Sequence, residues 1–249
     1  MPSRRIESLI PNEVSDRQLR NYFLTQHGDS IPDDLITLFE VALENKALFP
    51  NINMPDGEDW RNYIDRWTIN YLRAHRNPPS SRIATPKSSC NDPAIREIVR
   101  IATGISEEVA LEMESCHSLF MSAENCQGGL LEEYIDSAIS RFGWIWCKGN
   151  SLRSIDFCLH DGSYLLQVKN KSNTENSSSS AIRVGTNIEK WYRLGTTRAG
   201  GRCFPFYRWH SLNNIIRQRT GRQADLSEEG YIAYIRHAVS MNSEIISDE

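Results

Sequence analysis

Apolar residues recur at helical spacing through the first half of the chain and change to strand-like runs in the second. Trp60, Ile64, Trp67 and Tyr71 fall on one helical face, a stripe read as core packing, and the helix is expected to break at Asn77-Pro78-Pro79. Residues 77–93 are rich in Pro and Ser and carry Arg82 and Lys87, which predicts an exposed arm or linker. A second helical stretch is expected over residues 92–120, with a break near Gly104. Residues 1–125 therefore read as a helical N-terminal region, and residues 126–249 as a separate core. No internal repeat is visible.

After Gly128-Gly129 a helix with an apolar face of Leu131, Ile135, Ala138 and Phe142 is expected. Trp144 to Cys147 reads as a short buried strand, and Ser154 to Leu159 as another. Asp161-Gly162 is a hairpin signal, and Tyr164 to Asn170 is the returning strand. A serine-rich tract follows, then a helix start at residues 187–192 and a glycine-arginine loop at 195–202. Ser211 is placed to cap a basic helix running to Arg219, and Ser227 to cap a last helix running to Val239. The acidic tail is expected to fray. This order predicts an α/β (α+β) fold, with a central mixed sheet flanked by helices and a helical region before it.

Composition changes this picture little. The chain is 39% hydrophobic and 24% charged, ordinary for a globular protein. No apolar run approaches the roughly 20 residues that span a bilayer, and the N-terminus lacks the apolar core of a secretory signal. A cytoplasmic location is expected. The six cysteines form no C-x-x-C pair, so free buried thiols are expected rather than a zinc site.

Charge changes it more. The formal net charge is −4, yet residues 141–222 hold fourteen Lys/Arg against four Asp/Glu, a local +10 that leaves −14 elsewhere. Such segregation suits a polyanion-binding face on an acidic scaffold.

Candidate chemistry lies in the same stretch. Side chains alternate along a strand, so Gln167 and Lys169 project together while Val168 points away. The turn at Asp161-Gly162 returns this strand beside the one carrying Asp156. Asp156 and the Gln167 amide carbonyl offer oxygen ligands to a hard cation, with Val168 completing the candidate metal site. Lys169 is suited to orienting a water and stabilising charge on phosphoryl oxygens. Glu132 borders the apolar face of the preceding helix and is the first choice for an additional carboxylate, with Glu133 in reserve.

The candidate DNA contacts begin directly after this motif. Lys171, Asn173, Ser178 and Arg183 lie in a polar run that by composition reads equally as a linker or a phosphate-contacting loop, and its place directly after the motif favours the loop, with Lys190 just beyond it. Arg198 and Arg202 flank Ala199-Gly200-Gly201 and are candidates for reading guanine or for holding the backbone. Asn213, Asn214 and Arg217 on the basic helix are further candidates.

The spacing Asp156-x10-Gln167-Val168-Lys169 after a glutamate helix resembles the PD-(D/E)XK nuclease signature. Gln167 stands where that superfamily usually carries a second acid. The stretch from Gln167 through the serine run to Arg193, within residues 127–193, resembles the SinI-like type II restriction endonucleases. That resemblance implies Mg²⁺-dependent double-strand cleavage at a site such as GGWCC, leaving 5′-phosphate ends. It also implies a homodimer and a separate cytosine methyltransferase in the same system. Two alternatives stay open from the residues alone: a structure-specific or repair nuclease, and a DNA-binding regulator with an inactive nuclease fold.

Overall fold

The computed structural model describes residues 1–85, 92–171 and 188–247. Two compact units are present, Met1–Asn77 with Ile135–Glu228, and Pro78–Tyr134 with Glu229–Glu249.

The first unit opens with helices α1 (Asp16–His27), α2 (Asp33–Glu44) and α3 (Trp60–Arg76), and two short strands, β1 (Ser3–Arg4) and β2 (Ile52–Asn53), pair antiparallel. Ser15 and Asp59 close capping boxes at the starts of α1 and α3, satisfying amides that would otherwise lack partners. The Trp60–Ile64–Trp67–Tyr71 stripe is buried as expected. Trp67 lies against Phe23, Phe39 and Phe49, with ring centroids 5.6–5.9 Å apart.

The sheet of this unit is mixed and five-stranded, in the order β3-β4-β5-β6-β7. Its strands are β3 (Trp144–Trp146), β4 (Phe157–Leu159), β5 (Leu165–Lys171), β6 (Ile188–Ala199) and β7 (Arg202–Tyr207). Only β5 and β6 run parallel. Register aligns Ile145, Cys158, Leu165 and Ile188 in one row across four strands. That row packs into the core built by α1, α2 and α3. On the other face Trp191 meets Trp209 of helix α6 (Trp209–Thr220) at 5.1 Å, and the Arg219 guanidinium lies 4.1 Å over Tyr164. Helices thus cover both faces, as the α/β (α+β) expectation requires.

The second unit contains α4 (Pro93–Thr103), helix α5 (Glu107–Ile139) up to Tyr134, and nearly all of α7 (Glu228–Met241). Asp92 caps α4, and Gly104 ends it in the left-handed conformation at φ +71°. Leu130, Ala238 and Ile245 form a small core.

Several expectations change. Helix α5 runs unbroken through Gly128-Gly129. At Gly129 a Cβ would sit 2.8 Å from Pro79, so glycine there serves a close approach and not a helix start. Strand β4 begins only at Phe157, because Ser154 adopts φ +61° and turns the chain before it. The helix expected at 187–192 is instead strand β6 over its described residues, and the loop expected at 195–202 is a tight hairpin. Residues 242–247 are held rather than frayed: Ala84 N donates to Ile245 O at 2.8 Å and Ser247 N to Ala84 O at 2.9 Å. Ser211 lies inside the first turn of α6 and does not cap it. Of the five described cysteines, none of them in a disulfide, Cys147 and Cys158 are buried whereas Cys116 and Cys203 are exposed.

Candidate active site

Asp156 is delivered by a pinned loop. Trp67 Nε1 of α3 donates to Ser151 O at 2.8 Å, and Arg153 N donates to Leu48 O at 2.6 Å. Gly149, at φ +67°, lies against α3 so closely that a Cβ would meet Asn70 O at 2.7 Å. Leu152 and Ile155 are buried in the α1–α3 core, which fixes the chain on both sides of Ser154. Asp156 N donates to Leu166 O at 2.9 Å, and Cys147 N donates to Asp156 O at 2.9 Å. The Asp156 backbone is therefore held from both sides.

Phe157 pairs with Leu166, so one step earlier Asp156 stands opposite Gln167. Gln167 in turn pairs with Lys190, and Lys169 with Tyr192. Asp156, Gln167, Lys169, Lys190 and Tyr192 consequently share one sheet face, continuing the Cys158–Leu165–Ile188 row beyond the core. The sequence-predicted trio comes together. Gln167 is 3% exposed, whereas Asp156 and Lys169 are half-buried. Asp156 Oδ2 accepts a hydrogen bond from Val168 N at 2.7 Å, which fixes the carboxylate's orientation against β5. The Val168 side chain is buried on the opposite face, as expected.

Behind this face lies a network that was not apparent in the sequence. Arg193 is 6% exposed and donates from Nε to Asn170 Oδ1 at 2.9 Å. It also pairs with Glu228, which accepts from Trp209 Nε1 at 2.9 Å. Asn170 follows Lys169 directly, so the lysine-bearing end of β5 is tied to β6 and α6.

The remaining candidates divide. Asn173, Ser178 and Arg183 lie outside the described residues. Glu132 and Glu133 lie on α5 in the second unit. Glu133 accepts from Ser80 N at 2.9 Å and Ser80 Oγ at 2.7 Å, a structural engagement of both its oxygens. Asp136, further along the same helix, belongs to the sheet's unit and pairs with Lys148 at 3.5 Å. Asn213 is engaged within the chain: its amide donates to Leu226 O at 2.9 Å and accepts from Leu226 N at 3.2 Å. Asn214 bonds His210 Nε2 at 2.9 Å on the outer part of α6, with Arg217 exposed one turn on. Lys171 is exposed at the end of β5.

Arg198 and Arg202 are exposed near the tip of the β6–β7 ribbon, closed by Gly200-Gly201 at φ +56° and +75°, the geometry of a two-residue hairpin turn. Arg198 pairs with Cys203 and Ala199 with Arg202. Arg198 therefore shares the face of Lys190 and Tyr192, while Arg202 lies on the opposite face with Phe204 and Phe206. Twist rotates both faces together, so the two arginines stay on opposite sides.

The family model described as SinI restriction endonuclease matches residues 64–241. Two curated proteins are similar over most of the chain. The type II restriction enzyme Eco47I of Escherichia coli is 31% identical over 219 residues, covering 85% of this chain and 90% of its own. The type II restriction enzyme SinI of Salmonella infantis is 31% identical over 219 residues, covering 84% and 90%. With a helix-flanked mixed sheet and this breadth of match, the chain belongs to the SinI restriction endonuclease family of type II restriction enzymes.

Proposed function

We propose that the protein cleaves both strands of duplex DNA at a GGWCC-like site in a Mg²⁺-dependent reaction that leaves 5′-phosphate ends. It acts as a homodimer in the cytoplasm, beside a separate cytosine methyltransferase that protects the same sites. One observation carries this reading: Asp156, Gln167 and Lys169 share a single sheet face with Lys190.

The donor set suits a magnesium ion. Among the described residues no group of three or more His, Cys, Asp or Glu side chains converges. A cation here would be held by the Asp156 carboxylate, the Gln167 amide carbonyl and the Val168 main-chain carbonyl. Mg²⁺ accepts so few protein ligands because it keeps several waters and binds substrate phosphate. When bound, it supplies polarisation of the scissile phosphate and a more acidic water.

The chain's own residues do the rest. The Val168 amide holds the Asp156 carboxylate in one orientation, so no reorganisation is needed when DNA arrives. Lys169 orients the attacking water and neutralises charge that grows on the phosphoryl oxygens. Lys190 and Lys171 supply positive charge for backbone phosphates on the catalytic face, and Arg217 and Asn214 are further candidate contacts on α6. No acid occurs between Lys190 and Ala224, so beyond Glu189 the β6–β7 ribbon carries no negative side chain. The major groove admits a two-stranded ribbon, and Arg198 on the catalytic face is the arginine suited to reading guanine.

Plasmid digestion with and without Mg²⁺ tests this reading. Discrete fragments only with the metal are expected, with junctions at one short sequence. Asp156→Ala and Lys169→Ala should each abolish cleavage while DNA binding persists. Smearing, branched-substrate preference, or near-normal cutting by either folded variant overturns the assignment.

A further inference from the structure

Lys169 has to meet a reacting phosphate, yet it stands where strand β5 is held by few neighbours. Ladder pairing with β4 ends at Leu166, and beyond it the Asp156 carboxylate holds Val168 N from that side. From Lys169 onward β6 is the neighbouring strand, with Lys169 opposite Tyr192 and Lys171 opposite Leu194. Segments with few ties open locally at low cost. A catalytic lysine tolerates little of that, since a misplacement of about 1 Å can slow a reaction about 100-fold.

We infer that Arg193 is a positioning residue for cleavage, acting on Lys169 through Asn170. The register places Arg193 across from Asn170, on the face opposite Gln167 and Lys169. Arg193 Nε donates to Asn170 Oδ1 at 2.9 Å, so the residue next to Lys169 is fixed by its side chain. The guanidinium is itself oriented. Glu228 accepts from Arg193 Nη1 on one oxygen and from Trp209 Nε1 at 2.9 Å on the other. Trp209 lies against Trp191, with ring centroids 5.1 Å apart, and Arg208 N donates to Arg193 O at 2.9 Å. The Arg193 and Glu228 side chains are 7% and 16% exposed. Stability alone does not account for a charge pair at this depth, because well-packed apolar residues of similar volume often serve a fold as well or better. What they do not supply is a planar fork with one N–H on Glu228 and another on Asn170. The inference rests on the reading of Asp156, Gln167 and Lys169 as the active site.

Three variants separate the links. Arg193→Lys keeps a cation beside Glu228 but loses the fork that also reaches Asn170. Asn170→Ala keeps the ion pair and removes the acceptor, and Asn170→Asp restores an acceptor oxygen. These, the wild type and Lys169→Ala are compared in single-turnover cleavage of a supercoiled plasmid with Mg²⁺, at increasing enzyme excess. The rate constant at saturation is the deciding readout, because a smaller folded fraction raises the enzyme needed for saturation and leaves that constant unchanged. Arg193→Lys and Asn170→Ala should cut about 10- to 100-fold more slowly at saturation. Their half-maximal Mg²⁺ concentration should match the wild type, and Asn170→Asp should recover most of the lost rate. Should Arg193→Lys fail to fold, the two Asn170 variants decide. Full-speed saturated cutting by Asn170→Ala beside an inactive Lys169→Ala overturns this inference alone, and so does an Asn170→Asp variant as slow as Asn170→Ala. Near-normal cutting by Lys169→Ala, or none by the wild type, overturns the active-site reading and the inference with it.

Discussion

Replacing Gln167 by Glu tests whether the most unusual residue of the site lies at a metal. Gln167 is 3% exposed, between Asp156 and Lys190 in the register, with Lys169 two residues on along the same face. An ionised carboxylate there loses most of its hydration and gains Asp156 as a like-charged neighbour, an effective penalty of several kcal/mol when unpaired. The two lysines on that face offset part of it. The metal-free variant should therefore be destabilised by about 1–3 kcal/mol, the range of ordinary disruptive substitutions. A divalent cation reverses the sign of the neighbour effect, because two carboxylates now share a double positive charge. Any ligand that binds only the folded state stabilises it by RT ln(1 + [L]/Kd), about 2.7 kcal/mol at a hundredfold excess over Kd. Urea denaturation of wild type and Gln167→Glu, with Mg²⁺ and with KCl of equal ionic strength, measures both effects. The variant should lose stability in KCl, recover most of it in Mg²⁺, and reach half-maximal cleavage at a lower Mg²⁺ concentration. An equal deficit in both salts, with unchanged metal dependence of cleavage, would place the cation away from residue 167.

Arg198→Ala should cost cognate binding about 5- to 150-fold more than binding to a scrambled duplex, since a bidentate arginine–guanine contact discriminates by about 1–3 kcal/mol. Arg202→Ala should leave that ratio intact. Titrations at two salt concentrations decide it, and equal loss of preference in both variants would refute the face argument. Arg193→Met should destabilise the fold by about 3–5 kcal/mol, because it leaves Glu228 charged and half-enclosed without its partner. A change below about 1 kcal/mol in urea denaturation would show that the network is not structural. Asp161 is held below the usual carboxylate range by hydrogen bonds from Ser163 Oγ and N, so it contributes stability above its ordinary pKa. That contribution is lost as pH falls through the lowered folded value. Asp161→Asn should flatten the acid side of the stability–pH curve, and an unchanged acid limb would contradict it. Burial pushes the Cys158 thiol up to about 12, so iodoacetamide at neutral pH should spare it while labelling Cys203 in the folded protein.

The legible parts of the sequence were those whose local chemistry and tertiary environment agree. The Trp60–Tyr71 stripe is a helix and a core face by the same period. Asp161-Gly162 is a turn in both readings, with Gly162 at φ +72°. From that turn alone Asp156 could be brought beside Gln167. The miscues share a different cause. At Gly129 the determinant is Pro79, and at Gly195 it is Phe206, so each glycine answers a side chain from another element. Punctuation was read where close packing was the reason.

Strand β6 shows most directly why the site was only half visible. Its buried positions from residue 191 onward are Trp191, Arg193 and Gly195. An arginine in a buried slot reads as polar, and a glycine reads as a break, so the alternation that marks a strand disappears. Both residues are explained by neighbours. Arg193 is neutralised by Glu228, and Gly195 leaves room for the Phe206 ring, which would lie 2.3 Å from any Cβ. Once β6 is a strand, its parallel register with β5 follows from the sheet, and Lys190 and Tyr192 fall beside Gln167 and Lys169. The same register separates Arg198 from Arg202. A linear sequence places those residues four apart in what looks like one loop. A hairpin closed by two glycines puts them on opposite faces, so only Arg198 shares the face of Gln167 and Lys169.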